Sequence, residues 1–407
     1  MRILVLNHIH PDAKHVSGLR MSKFAEKLSE IGEQVLLITT TSKATITGTD
    51  INTLNHSLAT HNWKIPFQLS CPPIPAVLAG MARTGKLPPG VRHIVLGIFY
   101  LWRGGVFPDW SRAVEQVIPE LEKSFQPDVV YATFGNTDTF AIAQLISKKF
   151  NCPWVADFKD NWSAFIPFGF RRLLANRFSD FRSMTLFSET HKRETEKWFS
   201  GKFDVIYSGY DSANLLEVKP LPDQSLTILI SGSVYSEKNF KLLLTGIGKW
   251  VAAFEHRTEN RIKLFYAGNE GNNVQKMVNA SLADPSLFEN LGFLPMGELQ
   301  RLQRQVGVNA YICNSASLLH QKFIELCAAQ RPIIVVPNES KEAISIANLL
   351  NTQLYNCPQP EIVCESLGKI LNSGRPAIRQ DILTNYSWKV QTEKLREVFQ
   401  RATVIQK

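Results

Sequence analysis

One stretch of the sequence gathers side chains able to do chemistry on a ligand: CNSASLLHQKFIELCAAQRPIIVVPNE, from Cys313 to Glu339. It reads as strand, loop, helix, strand and loop, with the helix starting near His320 and a buried strand at Pro332–Val336. Glu325 falls on that helix among Phe323, Ile324, Leu326 and Cys327. A carboxylate on an apolar helix face needs a partner to offset its desolvation. For a helix glutamate the usual partner is a nearby lysine. The apolar flanks favour instead a ligand with paired hydroxyls, such as a ribose, whose two O–H groups one carboxylate can accept. The start of the same helix offers free backbone N–H groups and a partial positive charge, which suit a diphosphate.

Three other places carry candidate groups. The loop Ser231–Asn239 includes Gly232, Ser233 and Lys238, and a lysine at a loop-to-helix transition can stabilise a departing nucleoside diphosphate electrostatically. The alternative is a solvent-exposed lysine beside Glu237. The loop Asn7–Leu19 joins the first strand to the first helix and contains Ser17 and Gly18, where a small residue lets the backbone approach a phosphate or sugar, or simply permits the helix entry. It is not GxGxxG, which disfavours a standard dinucleotide site. Asp157 ends a strand, so it is expected to point into a cleft and touch sugar or acceptor, whereas Asp160 is expected to cap the following turn.

The elements that must position these groups alternate short apolar runs with amphipathic ones, in two halves, which predicts α/β architecture with parallel sheets. Strands are expected at Ile3–Leu6, Gln34–Thr39, Val129–Ala132 and Trp154–Asp157 in the first half, and at Leu226–Ile230, Lys263–Ala267 and Ala310–Cys313 in the second. The expected domains are 1–208 and 209–386, with the boundary near Gly209–Pro222 and a final amphipathic helix in 387–407. Residues 50–110, rich in Pro, Gly and aromatics, read as an insertion in the first domain.

At 407 residues the chain is long enough for two domains, and 44% apolar with 20% charged residues is ordinary for a globular protein. The most apolar run, Ile94–Leu101, is too short to span a bilayer, and the start MRILVLNHIHP lacks a signal peptide's apolar region. Six cysteines without a CxxC pair read as buried free thiols rather than disulfides or zinc ligands, which favours a cytoplasmic location. The net charge is +9, and between Asp50 and Asp109 there is no acidic residue while Lys64, Arg83, Lys86, Arg92 and Arg103 all fall there. Such a surface attracts anionic lipid or phosphorylated substrate, or is simply a solvated basic face. No basic-aromatic motif of a nucleic-acid module is present.

Lys322, Glu325, Ala328 and Pro332 resemble the K-x-x-E-x-x-A-x-x-x-P signature of GT-B glycosyltransferases. The loop at Gly232–Lys238 resembles the G-R-L-x-x-x-K loop of family-4 members, with Ser233 in place of the Arg. The run from Pro153 to Trp162 resembles that family's PWvaDfRDpW, and Val205–Asp211 its viPNGyD, with Ser208 in place of the Asn. The resemblance implies a GT-B fold of two Rossmann-like domains facing a cleft, and retaining, metal-independent transfer from a nucleotide-diphosphate sugar, which is a substrate rather than a cofactor. It implies Asp157 and Lys238 as catalytic residues. Gly232, Ser233, Lys238, Lys322 and Glu325 would serve the donor nucleotide, and Ser17, Gly18, Asp157 and Ser317 the sugar and acceptor. It also implies that the final helix, anchored by Trp388, packs back on the first domain.

The sequence departs from the pattern at Ser317, where the family's first E-x7-E carboxylate stands, and at Gln330, where a small residue is usual. Two other readings therefore stay open: a weakened relative that binds sugar nucleotide or a partner transferase without turnover, and a sugar-nucleotide epimerase using groups such as His8, His10 and Asp157. The acceptor side is expected to be a saccharide or lipid-linked acceptor in surface-polysaccharide assembly. Residues 92–107 mix arginines with aromatics, and Arg171, Arg172, Arg177 and Arg182 lie near Phe165, Phe168 and Phe170. They read either as a peripheral contact with the inner membrane face or as a buried insertion closed by Arg–carboxylate pairs.

Overall fold

The computed structural model describes residues 1–13, 18–41, 53–211, 226–254, 262–314, 316–372 and 377–404. The chain divides into two compact units, Met1–Ser208 with Trp388–Lys407, and Gly209–Ser387. The expected boundary falls partly in 212–222, outside the described residues.

The first unit is built on seven parallel strands, β1 (Arg2–Leu6), β2 (Gln34–Thr39), β3 (Phe67–Ser70), β4 (Val129–Phe134), β5 (Trp154–Phe158), β6 (Ser183–Leu186) and β7 (Phe203–Val205), in the order β3-β2-β1-β4-β5-β6-β7. The runs ILVL and VVYATF have no solvent-facing side because helices cover both sides of the sheet, and every residue of β4 is buried. The helix Leu19–Glu30 turns Met21, Phe24, Ala25 and Leu28 inward at helical spacing. Beside it lies the helix Trp388–Val404: Trp388 meets Phe24 edge-on at 5.2 Å, and Phe399 meets Tyr131 at 5.1 Å. Glu33 ties the two ends of this unit together, accepting from both the N-terminal amine and Arg396.

Part of the stretch read as an insertion belongs to the sheet. Phe67–Ser70 pairs with β2 as the edge strand, and the helix Leu54–Thr60 buries Leu54 and Leu58 in the same core. An edge strand of four residues with two of them half-exposed or exposed leaves little alternation to read. Beyond it come two further helices, Val77–Arg83 and Pro89–Trp102.

The second unit carries six parallel strands, β8 (Thr227–Ser231), β9 (Lys263–Ala267), β10 (Phe288–Gly292), β11 (Val308–Ile312), β12 (Ile333–Val336) and β13 (Leu354–Asn356), ordered β10-β9-β8-β11-β12-β13. In each unit the central strands reverse winding direction about their first strand, β1 or β8, so ligand-bearing loops belong at the carboxyl ends of those strands.

Candidate functional site

In the second unit the carboxyl end of β8 is held in an unusual way. Lys322, on the helix Gln321–Ala328, donates from Nζ to the carbonyl of Ser231 at 2.8 Å and lies 4.5 Å from the centre of the Tyr311 ring. The next residue, Gly232, has φ +93°, and a Cβ there would stand 2.7 Å from Lys322 Nζ. Tyr266 donates from its hydroxyl to the Gly232 carbonyl at 3.1 Å, and Glu270 accepts from the Val234 N–H at 2.9 Å. The loop is thus fixed on three sides around a glycine whose missing side chain makes room for an ammonium.

Burial pushes Lys322 down to about 8, against the opposing pull of Glu339, Cys313 and Glu325. Lys322 forms no ion pair among the described residues. An ammonium partly removed from water without a contacting carboxylate is a ready place for an anion.

Behind it Tyr311 and His320 both reach Oε1 of Glu339, at 2.5 and 2.8 Å, and Ser340 N–H donates to Oε2 at 2.8 Å. Burial works against the Glu339 charge, yet His320 and Tyr311 hold its carboxyl below the usual range. Cys313 lies 4.0 Å from His320 Nδ1, and the three residues Cys313, His320 and Glu339 bring their ligand atoms within 4.8 Å. The donor set is already spoken for, since His320 Nε2 accepts from Asn314 N–H at 3.0 Å and both Glu339 oxygens accept internal hydrogen bonds. This group braces the turn that starts the Lys322 helix.

Glu325 lies one turn further along, buried, in a small pocket with Tyr210, Gln303, Arg304 and Ala328 among its lining residues. The free space there is about 10 Å³, the room of a single water. Ser233 and Lys238 are exposed, Lys238 in the first turn of the helix Glu237–Phe254. Ser317 donates to the Leu319 carbonyl at 3.1 Å within the turn before His320.

A second feature has no counterpart in the sequence reading. The carboxyl ends of β9 and β10 open onto a hollow of about 440 Å³ lined by Asn269, Glu270, Asn272, Asn273, Asn290 and Phe293 together with three glycines. A Cβ on Gly271 would fall 2.2 Å from the Asn290 amide, so that glycine keeps the wall close. Amides offer donors and acceptors side by side, the equipment for the edge of a heterocyclic base. The signal was AGNEGNN after a strand, four polar residues among glycines with no charge pattern to single them out.

In the first unit the structure corrects the expectation for Asp157. Its carboxylate is fully buried and accepts from Arg20 Nη2 at 2.8 Å, Tyr131 at 2.9 Å, Thr185 at 2.8 Å and Thr133 at 3.0 Å. Arg20 also donates to the Ile206 carbonyl and to Ser208 Oγ. Strand side chains alternate between faces, and this one lies on the face covered by the helix bearing Arg20, away from solvent. Burial opposes the Asp157 charge, and Arg20 overcomes it, keeping the carboxyl below its usual value. Arg20, missed in the sequence, stood as a lone cation on the apolar side of that helix.

Gly18 is required by packing: a Cβ would come 2.8 Å from the His10 carbonyl. Ser17 lies outside the described residues. His10 is buried, with Nδ1 accepting from Asp12 N–H at 3.0 Å and Nε2 against Gln68. Burial drives His8 down to about 4 despite the pull of Asp109, so it is neutral near pH 7.

No family model matches the chain, and no curated protein matches it in sequence. Solved structures do match. A glycosyltransferase from Rickettsia africae shares 14% identity over 98% of both chains at TM-score 0.61. Anabaena Alr3699/HepE in complex with UDP and glucose shares 14% over 98% of this chain and all of its own, at 0.62. The fold is GT-B. It extends beyond transferases: a UDP-GlcNAc 2-epimerase from Methanocaldococcus jannaschii matches at 0.56, with 12% identity over 98% of this chain and all of its own. At such identities the likeness of this GT-B protein to its neighbours is one of fold.

The fixed loop gives a direct check. Gly232→Ala is expected to cost about 1–3 kcal/mol of stability, because φ +93° is strained for any side chain, and to push Lys322 off the Ser231 carbonyl. Gly297→Ala, where a Cβ meets nothing within 4 Å, serves as the silent control in the same urea titration. Equal stability of the two variants would contradict this account of the loop.

Proposed function

We propose that this chain is a glycosyltransferase that uses a nucleotide-diphosphate sugar, of the retaining family-4 kind and working without a metal. The observation that carries the reading is Lys322: a partly buried ammonium without an ion pair among the described residues, beside a glycine loop and on the same sheet edge as an amide-lined hollow. Lys322 and the exposed Lys238 would take the diphosphate, and the asparagines of the hollow the base. Glu325 would take the ribose hydroxyls on reorganisation of a pocket that now has room only for a water. In the transfer the bond from the anomeric carbon to the diphosphate breaks and one to an acceptor hydroxyl forms. The hydroxyl proton passes to the departing diphosphate oxygen, and the remaining negative charge gathering on the diphosphate is what the lysines stabilise. Ser17, Gly18, Ser233 and Ser317 belong to the sugar and loop side of this proposal, whereas Asp157 holds the first unit together.

The acceptor would be a saccharide or a lipid-linked saccharide at the inner face of a membrane, in surface-polysaccharide assembly. The solved neighbours include structures with UDP, UDP and glucose, and UDP-glucose, which favours a uridine donor. Ser233 and Ser317 support a second reading, a protein that binds sugar nucleotide without turnover.

Calorimetric titration with UDP, GDP and ADP tests the donor site. Tight binding of UDP alone, weakened at least tenfold in Glu325→Gln, is the expected result. No binding of any of the three would remove the proposal. Incubation of UDP-sugars with and without acceptor then separates transfer from simple binding and from epimerisation, which needs no acceptor.

A further inference from the structure

The helix Pro89–Trp102 has fourteen residues, and only Val95 and Gly97 are buried. The helix itself is therefore not a buried part of the insertion, although Arg83 and Arg103 near its ends do pair with carboxylates. Its outward residues, Val91, Ile94, Ile98, Leu101 and Trp102, recur at helical spacing, with Ile94 66% and Trp102 70% exposed. A second segment adjoins it. Arg177 donates to the carbonyls of Leu101 and Trp102 at 2.7 and 3.3 Å, and the rings of Tyr100 and Phe170 lie 5.6 Å apart. That segment adds Phe165 and Phe168, the latter 83% exposed. Apolar side chains gathered in this way on one surface mark a place of contact.

The charge around it selects the occupant. Residues 51–108 hold five lysines and arginines and 161–179 hold three arginines, with no aspartate or glutamate in either stretch. Arg92, Arg171, Arg172 and Arg177 donate to main-chain carbonyls and form no ion pair among the described residues, so their charge is not cancelled locally. Among the described residues Arg83 and Arg103 are matched, by Asp109 and Glu115. A rim with an excess of basic side chains around an apolar face with exposed Trp and Phe is complementary to an anionic bilayer, which offers hydrocarbon beneath phosphate. The helix is far too short to cross one, and no helix among the described residues is long and apolar enough to do so.

We propose that the outward face of the helix Pro89–Trp102, with Phe165 and Phe168, docks in the plane of an anionic lipid surface. The inference rests on the proposed acceptor reading for its purpose, but its test needs no turnover. The full chain would be sedimented with phosphatidylcholine vesicles, with and without one part in three of phosphatidylglycerol, at low and high salt. The wild type is expected to pellet with the anionic vesicles, less so as salt rises. Ile94→Ser/Ile98→Ser/Trp102→Ser is expected to lower the partition coefficient at least about tenfold, and Lys86→Glu/Arg172→Glu to remove the preference for the anionic lipid. Leu349→Ser, at an exposed leucine of the second unit, is expected to leave binding unchanged. All preparations would be checked by thermal melting and by UDP titration, so that failure at the lipid is distinct from failure of the donor site. A wild type that stays in the supernatant, or a triple variant that pellets equally, overturns the proposal. A dimer in sedimentation velocity that the triple variant abolishes, without vesicle binding, overturns it in favour of a second copy.

Discussion

Replacing Lys322 by methionine is expected to weaken nucleoside-diphosphate binding a hundredfold to a thousandfold, about 3–4 kcal/mol, with no loss of folding stability. The two halves of that result have one cause. The ammonium stands over Tyr311 and under the Ser231 carbonyl, and burial has already lowered it to about 8. An unfolded lysine keeps its proton to about 10.5, so between those values the unfolded chain binds more protons and wild-type stability rises with pH. In Lys322→Met that slope disappears, and a methionine stem fits the apolar part of the site at no electrostatic cost. Ligand binding reverses the shift, since a diphosphate favours the charged amine. Slightly above pH 8 the wild type should therefore take up protons on binding, seen as a heat that depends on the buffer's ionisation enthalpy. In Lys322→Met that uptake should be absent at the same pH. Unchanged affinity in Lys322→Met would end the case for this lysine as the anion site.

Arg20→Met is expected to destabilise the protein by roughly 3–5 kcal/mol, because it leaves a fully buried carboxylate without its counter-ion. The pH dependence gives the sharper signature. In the wild type Asp157 has a lowered pKa, so the stability from the pair is present above the unfolded carboxyl value and is lost as pH falls through the folded one, in strong acid. Without Arg20 burial, which raises the pKa, is opposed by the hydrogen bonds from Thr185 and Tyr131 but no longer by a contacting cation. The variant should then lose further stability as pH rises from the unfolded value through the raised folded one. Urea titrations at pH 5 and pH 8 measure this, and a deficit no larger at pH 8 would count against the buried-pair account. Arg20→Met/Asp157→Leu should recover part of the loss.

What the sequence made legible follows from burial. Ile3–Leu6 and Val129–Ala132 could be read because strands covered on both faces form nearly continuous apolar runs, although β4 continues through Thr133 to Phe134. Leu354–Asn356 was not, being a three-residue edge strand that is only half-buried. Asp157 was correctly placed near the end of a strand, but position along a strand does not tell which face the side chain takes, and Arg20 on the covering helix decided that. Lys322 was singled out by its spacing from Glu325, whereas its real supports, Ser231, Tyr311 and the glycine at 232, lie some ninety residues away or on another strand. The asparagine-lined hollow left only the run AGNEGNN after a strand, which was passed over because amides carry neither charge nor periodicity.

The return of the helix Trp388–Val404 to the first unit has a consequence for biosynthesis. Trp388, Leu395 and Phe399 are core residues of a unit whose strands are all made before residue 208. On the ribosome that unit must wait, with Phe24 and Tyr131 uncovered on one side, until all of the second unit has been translated. The second unit, continuous in sequence, has every residue it needs first. The order of completion is therefore the reverse of the order of synthesis, and a sheet complete in its strands but uncovered on one side is the species a chaperone would meet.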